Sequence, residues 1–397
     1  MALLSVSDAL GRVLDGLTPL EAEDVSLDDA QGRVLAADLA ALVTQPPFDA
    51  SAMDGYAVRG EDVSALPATL RMIGEAAAGQ GFGGAVGGGE AVRIFTGAPV
   101  PKGANTIVIQ EDVEADGANI VVKAAELFRH IRPRGQDFKD GEILLRAGTQ
   151  LEPRHLMLAA AMNHASLPVR RSPKVAILAT GDEVRPPGTK LAPDQIVSSV
   201  PAGLAAFVRA AGGEALSLGI AKDDPDSIAT LARAGSAADI LVTIGGASVG
   251  ERDLVASALK PEGLVVDFWK VAMRPGKPLL SGRMGSTRFL GLPGNPVSAF
   301  VCAHVFLKPI LRRLLGAGDA AEEFAGGMLG ADLEANGPRQ HYIRATSTFA
   351  DQGRIVTALP SQDSSLVAAL ALADCLIVRA PDAPAGRAGD PVKIIVL

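Results

Sequence analysis

Three glycine-bearing segments with charged neighbours fall close together in this chain. Thr243 to Asp253 reads Thr-Ile-Gly-Gly-Ala-Ser-Val-Gly-Glu-Arg-Asp, Met273 to Pro278 reads Met-Arg-Pro-Gly-Lys-Pro, and Gly291 to Ser298 reads Gly-Leu-Pro-Gly-Asn-Pro-Val-Ser. Glycine lets backbone N–H groups come close to an anion, and a helix starting just beyond the turn adds its positive end. Lys270, Arg274 and Lys277 bring cationic side chains, while Glu251 and Asp253 bring carboxylates. Amides, cations and carboxylates in one neighbourhood suit a phosphorylated ligand held together with a divalent cation.

Such turns need rigid elements behind them. Ile240-Leu241-Val242 precedes the first segment and Phe289-Leu290 the third, and the strand-like run Leu264 to Trp269 comes shortly before the second. Helical patterns follow at Leu254 to Leu259 and Val297 to Leu315. Strand, glycine turn and helix form the grammar of an open α/β sheet, whose ligands sit beyond the carboxyl ends of the strands. Upstream, Lys174 to Leu178 reads as a buried strand ending in Ala179-Thr180-Gly181-Asp182-Glu183, and Ala215 to Gly219 as one ending in Asp223-Asp224-Pro225. Helices are expected over Pro201 to Ala211 and Asp226 to Ala234. This alternation predicts a doubly wound parallel sheet within an α/β domain over 173–317. Parallel strand ends must point the same way, which favours one site over scattered surface turns. Spacing does not choose between Asp223 and Asp224.

Before the Ser172-Pro173 boundary the pattern is different. Ser5 to Leu17 predicts an amphipathic helix with Ser5 as N-cap and Asp8 in its first turn. A short helix is expected over Leu27 to Arg33, and Pro46-Pro47 stops regular structure. Asp54-Gly55 favours a tight turn before Tyr56-Ala57-Val58, and taken alone it is a hairpin turn with an exposed carboxylate. Runs at Leu70 to Ile73, Glu90 to Phe95, Ala104 to Gln110 and Asn119 to Val122 predict an irregular β-rich region. Gly79 to Gly89 lacks the Lys-Ser/Thr ending of a phosphate loop and reads as a surface loop. Thr96-Gly97 ends a strand and can offer a hydroxyl and free amides. Arg132 and Asp137 sit in a Pro/Gly-constrained run that is either a solvated loop with weak ion pairs or a phosphate contact. A strand over Glu142 to Ala147 and a helix over Pro153 to Met162 complete this part. After Leu315, Gly316 to Gly330 reads as a Gly/Ala-rich linker. The tail reads as a small β domain with strands at Tyr342 to Phe349, Arg354 to Ala358, Cys375 to Ala380 and Val392 to Leu397. Ser364 to Leu372 is a short helix or a loop.

Bulk properties narrow the function classes. A chain of 397 residues exceeds one ordinary core, so two to four domains are expected. Its 37 basic and 45 acidic residues give a net charge of −8 with no basic block, which argues against nucleic acid as the main partner. Cys302 and Cys375 form no C-x-x-C pair, and the five His contain no H-E-x-x-H, so neither a disulfide framework nor a thiolate zinc site is indicated. No secretory leader is evident at Met1 to Leu17, and no apolar run reaches the ~18 residues of a membrane span, so a cytoplasmic location is expected.

Phe48 to Val58, Arg93-Ile94-Phe95-Thr96-Gly97-Ala98-Pro99-Val100-Pro101, Thr180 to Glu183, Gly245 to Asp253, Arg274 to Pro278 and Gly291 to Ser298 follow one another in an order that resembles the molybdopterin molybdenumtransferases, the bacterial MoeA type and the E domain of gephyrin. The resemblance runs from the N-terminal helix to the last strand. It implies an elongated four-domain homodimer in which 1–172 forms two discontinuous lobes, about 1–26 with 45–147 and about 27–44 with 148–172. The molybdopterin-binding α/β domain then spans 173–317, and a C-terminal β domain spans 328–397. It implies insertion of molybdate into the dithiolene of adenylylated molybdopterin, with Mg²⁺ present, AMP released, and a cleft lined by both protomers.

Carried over by motif, Asp54 matches the family's active-site Asp, and Thr96, Arg132 and Asp137 match polar cleft positions. Glu183 and Asp253 match carboxylates associated with the metal and phosphates, giving Asp54, Glu183 and Asp253 as the implied catalytic set. Gly245, Gly246, Ser248, Gly294 and Asn295 belong to the implied substrate loops. Lys270, Arg274, Lys277 and Pro278 match the basic segment, with Lys277 and Ser298 near molybdate. Arg344 and Ser364 stand for the C-terminal domain. The chain departs from the pattern at Arg274, where many members carry Lys, and at Ala247, where Val is common; Arg presents a planar fork instead of a point charge. Two rival readings are a molybdopterin adenylyltransferase, which shares the glycine-loop domain, and a non-catalytic molybdopterin-binding scaffold. An adenylyltransferase and acceptor apoenzymes are also the partners such an insertase would meet.

Overall fold

The computed structural model describes residues 3–246, 254–318, 324–351 and 353–397. The N-terminal part opens with α1 (Val6–Leu14), β1 (Ala22–Ser26), β2 (Leu39–Ala40), β3 (Ala50–Ser51) and β4 (Gly55–Val58). It continues through β5 (Ala68–Ala76), β6 (Glu90–Ile94), β7 (Thr106–Ile109), β8 (Val113–Asp116) and β9 (Asn119–Val122). β10 (Ile131–Arg132), β11 (Ile143–Leu145), α2 (Pro153–Ala161) and β12 (Ser166–Arg170) close it.

Ser5 caps α1 as expected, its hydroxyl accepting the Asp8 N–H at 3.1 Å. The apolar face of α1, Val6, Ala9 and Val13, is buried in the core of the α/β domain rather than in an N-terminal lobe. β1 pairs antiparallel with β12, and β2 with β11. One core accordingly joins Leu35, Leu39, Phe138, Leu151, Met162 and Leu167. Within this part, 22–26 pairs with 166–170, and Phe138 and Leu145 belong to that same core. A six-stranded sheet in the order β7-β4-β6-β5-β9-β8 forms a separate inserted β domain, with apolar clusters of its own. Leu27 to Arg33 is a run of turns, not a helix. Ser26 organises it, its hydroxyl and carbonyl both accepting the Asp29 N–H, which is the local alternative to a helix that Ser and Asp favour.

The α/β domain runs through β13 (Lys174–Thr180), β14 (Val184–Arg185), β15 (Ile196–Val197), α3 (Val200–Ala210), β16 (Glu214–Ala221), α4 (Pro225–Ala234) and β17 (Ile240–Ile244). α5 (Leu254–Leu259), β18 (Leu264–Lys270), β19 (Met273–Arg274), β20 (Pro278–Met284), β21 (Thr287–Leu292), α6 (Pro296–Cys302) and α7 (Lys308–Leu315) follow. The sheet order is β16-β13-β17-β21-β20-β18. β16, β13, β17 and β21 are mutually parallel, as predicted, whereas β20 pairs antiparallel with both β21 and β18. The sheet is therefore mixed, not wholly parallel. The reason is local: Gly285 with φ +59° turns β20 straight into β21, a two-residue connection only antiparallel strands allow. β13 and β17 are interior strands, buried along almost their whole length, which is why they read as unbroken apolar runs. A turn of π-helix at 303–307 joins α6 to α7, and Gly316 with φ +64° ends α7.

The C-terminal domain comprises β22 (Phe324–Leu329), β23 (Gln340–Ala350), β24 (Gly353–Ala358), α8 (Val367–Leu372), β25 (Cys375–Arg379) and β26 (Pro391–Val396). The expected linker is shorter than its composition suggested. Phe324–Leu329 is a strand paired antiparallel with β26, where Gly327 is needed because a Cβ would meet Val356 Cγ2 at 2.7 Å. β19 pairs with β23, and Tyr342, Leu376 and Ile395 share the α/β domain's core. The tail is thus welded to the sheet that carries the glycine loops.

Candidate active site

The four parallel strands end side by side, and their turns build one cavity. β13 ends at buried Thr180, followed by Gly181 with φ +137°, where a Cβ would stand 2.7 Å from Glu183 Oε2. That missing side chain lets Glu183 fold back against the turn. β17 is followed by Gly245 and Gly246, with φ +88° and +66°; a Cβ would lie 2.9 Å from the Thr180 carbonyl at the first and 2.5 Å from Val255 Cγ2 at the second. Both positions accept only glycine. Gly294 lies against Gly245, and Asn295 precedes α6. Glu183, Asp223, Gly245, Gly246, Gly294 and Asn295 line a cavity of about 640 Å³, with Pro278 on the same wall.

Asp223 and Asp224, indistinguishable by spacing, do different work. Asp224 caps α4, its Oδ2 accepting the Ser227 N–H at 2.8 Å. Asp223 faces the cavity, and its Oδ2 accepts the Asp182 N–H at 3.4 Å. Among the described residues no cluster of three or more His, Cys, Asp or Glu is assembled. Glu183 and Asp223 nevertheless put two carboxylates on one cavity, and this donor set fits Mg²⁺, which takes one or two carboxylates and completes its shell with substrate oxygens and water. Asp253, Glu251, Ala247 and Ser248 lie outside the described residues.

A second cavity of about 370 Å³ opens beside the first and shares Pro278, Pro293 and Asn295 with it. Arg274, Lys277, Ser298, Arg339, Asp363 and Ser364 surround it. Gly276, with φ +102°, packs its Cα against Cys302, where a Cβ would come within 2.5 Å of Sγ. This seats the Arg274-to-Lys277 loop directly on α6. Ser364 docks the C-terminal domain here: its carbonyl accepts the Val297 N–H at 3.1 Å, and its hydroxyl accepts from Asn295 Nδ2 at 3.0 Å. Arginines dominate the field. Burial together with Arg274, Arg339, Arg379 and Arg344 pushes His341, the strand partner of Arg274, down to about 4, so it stays neutral near pH 7. A third cavity of about 780 Å³ adjoins the first at Gly181, Val184, Ser198 and Pro201. The three form a trough with a cationic end, a carboxylate-and-amide middle and a more apolar far end.

Two residues expected to face the substrate, Lys270 and Arg344, do not line these cavities. Lys270 is paired with Pro278 across β18 and β20 and lines neither the first nor the second cavity. Arg344 is almost fully buried and faces protein, its guanidinium donating to the carbonyls of Ser361 (3.2 Å) and Leu366 (3.4 Å) and to Gln362 Oε1 (3.5 Å). It anchors the 361–366 loop that carries Ser364. Arg339, Gln362 and Asp363 were not singled out by sequence. Arg339 reaches the cavity only because β19 pairs with β23, a register with no local signal.

Asp54, Thr96, Arg132 and Asp137 form a separate group on and beside the inserted β domain, and none of them lines the trough. Thr96 donates to Asp54 Oδ1 twice, from its amide at 2.7 Å and its hydroxyl at 2.8 Å. These bonds hold the Asp54 carboxyl below its ordinary value. Arg132 sits on β10, paired with Ala50 of β3 just upstream of Asp54, and Asp137 lies five residues on; both are exposed.

Comparison with known proteins agrees along the whole chain. Residues 4–163 match the family model of the MoeA N-terminal region (domain I and II), 176–313 that of the probable molybdopterin binding domain, and 327–397 that of the MoeA C-terminal region (domain IV). A molybdopterin molybdenumtransferase of Haemophilus influenzae is 33% identical, over 99% of this chain and 98% of its own length. Molybdopterin molybdenumtransferase 2 of Mycobacterium tuberculosis is 39% identical over 81% of this chain and 82% of its own. The solved molybdopterin biosynthesis moeA protein of Pyrococcus horikoshii OT3 superposes over 100% of both chains with a TM-score of 0.86 at 28% identity. The chain belongs to the molybdopterin molybdenumtransferase (MoeA) family.

Proposed function

We propose that this protein inserts molybdate into the dithiolene of adenylylated molybdopterin and releases AMP, acting as a cytoplasmic homodimer with Mg²⁺. The observation that carries the reading is the continuity of the trough, in which a cationic pocket with Arg274, Lys277 and Arg339 opens onto a floor with Glu183, Asp223 and four cavity glycines. Molybdate is a dianion, so the cationic pocket suits it. A pyrophosphate needs oriented amides and a counter-charge, which the glycine floor and its carboxylates supply. Glu183 and Asp223, with Asp253 as a further candidate, would hold Mg²⁺, which when bound offsets the phosphate charge. Ser298 and Ser364 offer hydroxyls to the oxyanion, and Asn295 fixes Ser364 in place.

Asp54 is the residue we assign to orienting the water that cleaves the phosphoanhydride. Its carboxylate is ionised and held by Thr96, and it lies outside the trough of its own chain. A second copy of the chain would bring it there. Incubating purified protein with adenylylated molybdopterin, molybdate and Mg²⁺ should yield AMP and active cofactor together. Consumption of ATP with unmodified molybdopterin would make it an adenylyltransferase, and neither product would leave a scaffold.

A further inference from the structure

Arg93 does not line the trough, yet its side chain is held on several sides next to Asp54. Its guanidinium lies between two aromatic rings, 5.0 Å from the Tyr56 centroid and 4.9 Å from that of Phe95. Nη1 donates to the Gly55 carbonyl at 3.1 Å, and Nη2 donates to Gln110 Oε1 at 2.7 Å. Both partners hold Asp54. Gly55 is its chain neighbour, and the Gln110 N–H donates to the Asp54 carbonyl at 3.1 Å. Thr96, which grips the carboxylate, follows Phe95, one of the two rings. Gly55 itself has no slack, since a Cβ there would stand 2.0 Å from the Val108 carbonyl.

We propose that Arg93 is a positioning residue for Asp54. One planar fork ties the ends of β4, β6 and β7 together around the carboxylate, so the Asp54 side chain is presented in a single orientation. Lysine would do this only in part, because an ammonium has rotatable donors but no rigid fork and no plane to stack between rings. The inference rests on the assignment of Asp54 to the reaction, and the test separates the two.

The variants are Arg93→Met, which keeps the packing stem and loses the fork, and Arg93→Lys, which keeps the charge. Hydrogen exchange followed by mass spectrometry reads the Thr96 and Gln110 amides, whose acceptors are on Asp54. In Arg93→Met these amides should exchange at least about tenfold faster while the β5–β9 pair is unchanged, since only the local clamp is lost. The kcat for AMP release should fall roughly 10- to 100-fold with KM within about threefold, as expected of a displaced reacting group. Arg93→Lys should recover part of both effects, and Arg93→Met should add nothing to Asp54→Asn. Unchanged exchange at Thr96 and Gln110, or faster exchange spread evenly over the β domain, overturns the proposal. So do multiplying losses in the double variant, which would mean that Arg93 acts apart from Asp54. If Asp54→Asn proves fully active, the assignment of Asp54 falls, and the exchange measurement alone decides for Arg93.

Discussion

Thr96 gives two hydrogen bonds to a single oxygen of Asp54, Oδ1, and leaves Oδ2 without a described partner. One oxygen anchors and the other is available, an arrangement suited to orienting water. Asp54→Asn should lower kcat for AMP release by roughly 10²–10³-fold with little change in KM. Thr96→Val, which keeps the amide bond, should cost roughly tenfold. The pH sign follows from the lowered Asp54 carboxyl, whose ordinary value is 3.8. Its bonds with Thr96 are fully present above that value and are lost as pH falls through the depressed folded value. Thr96→Val should therefore raise the carboxyl toward 3.8 in a ¹³C carboxylate titration. An unshifted titration would remove Thr96 from the account.

Neighbouring aspartates should give opposite phenotypes. Asp223→Ala should raise the Mg²⁺ concentration needed for half-maximal AMP release and leave the melting temperature nearly unchanged. Asp224→Ala removes the α4 cap, costing about 1 kcal/mol and a few degrees of Tm, with an unaltered Mg²⁺ titration. Equal Mg²⁺ titrations for the two variants would refute the assignment of Asp223.

The distance of Asp54 from the trough makes mixing a direct test of a shared site. Asp54→Asn and Lys277→Ala each disable one half of it. Unfolded together and refolded as random dimers, they should regain about a quarter of wild-type activity, because half the dimers carry one intact site. Activity no greater than either parent would place both residues in the same protomer's site.

Arg344→Ala should disturb the C-terminal domain and the oxyanion pocket together. Losing the bonds to Ser361, Gln362 and Leu366 leaves buried acceptors unmet, at about 1–3 kcal/mol. The displaced 361–366 loop carries Ser364, so KM for molybdate should rise with the fall in Tm. Ser364→Ala should raise KM alone. A rise in KM for Arg344→Ala with Tm unchanged would instead mark Arg344 as a ligand of the oxyanion.

Much of the site was written locally. Gly181, Gly245 and Gly246 advertise tight turns because their backbones need positive φ, and apolar runs such as 174–178 and 240–242 locate the strands behind them. Those signals depend on residues close in sequence, so the sequence alone determined four convergent strand ends and the cations beside them. It could not determine what depends on pairing between distant segments. Asp223 rather than Asp224 faces the cavity because the Ser227 amide claims Asp224. Arg339 joins the cationic cavity through the register of β19 on β23, and Arg344 is engaged by the loop it holds. The sheet became mixed where a two-residue turn returned β20 into β21. Residue types named the chemistry, while strand register and side-chain competition decided which atoms face the trough.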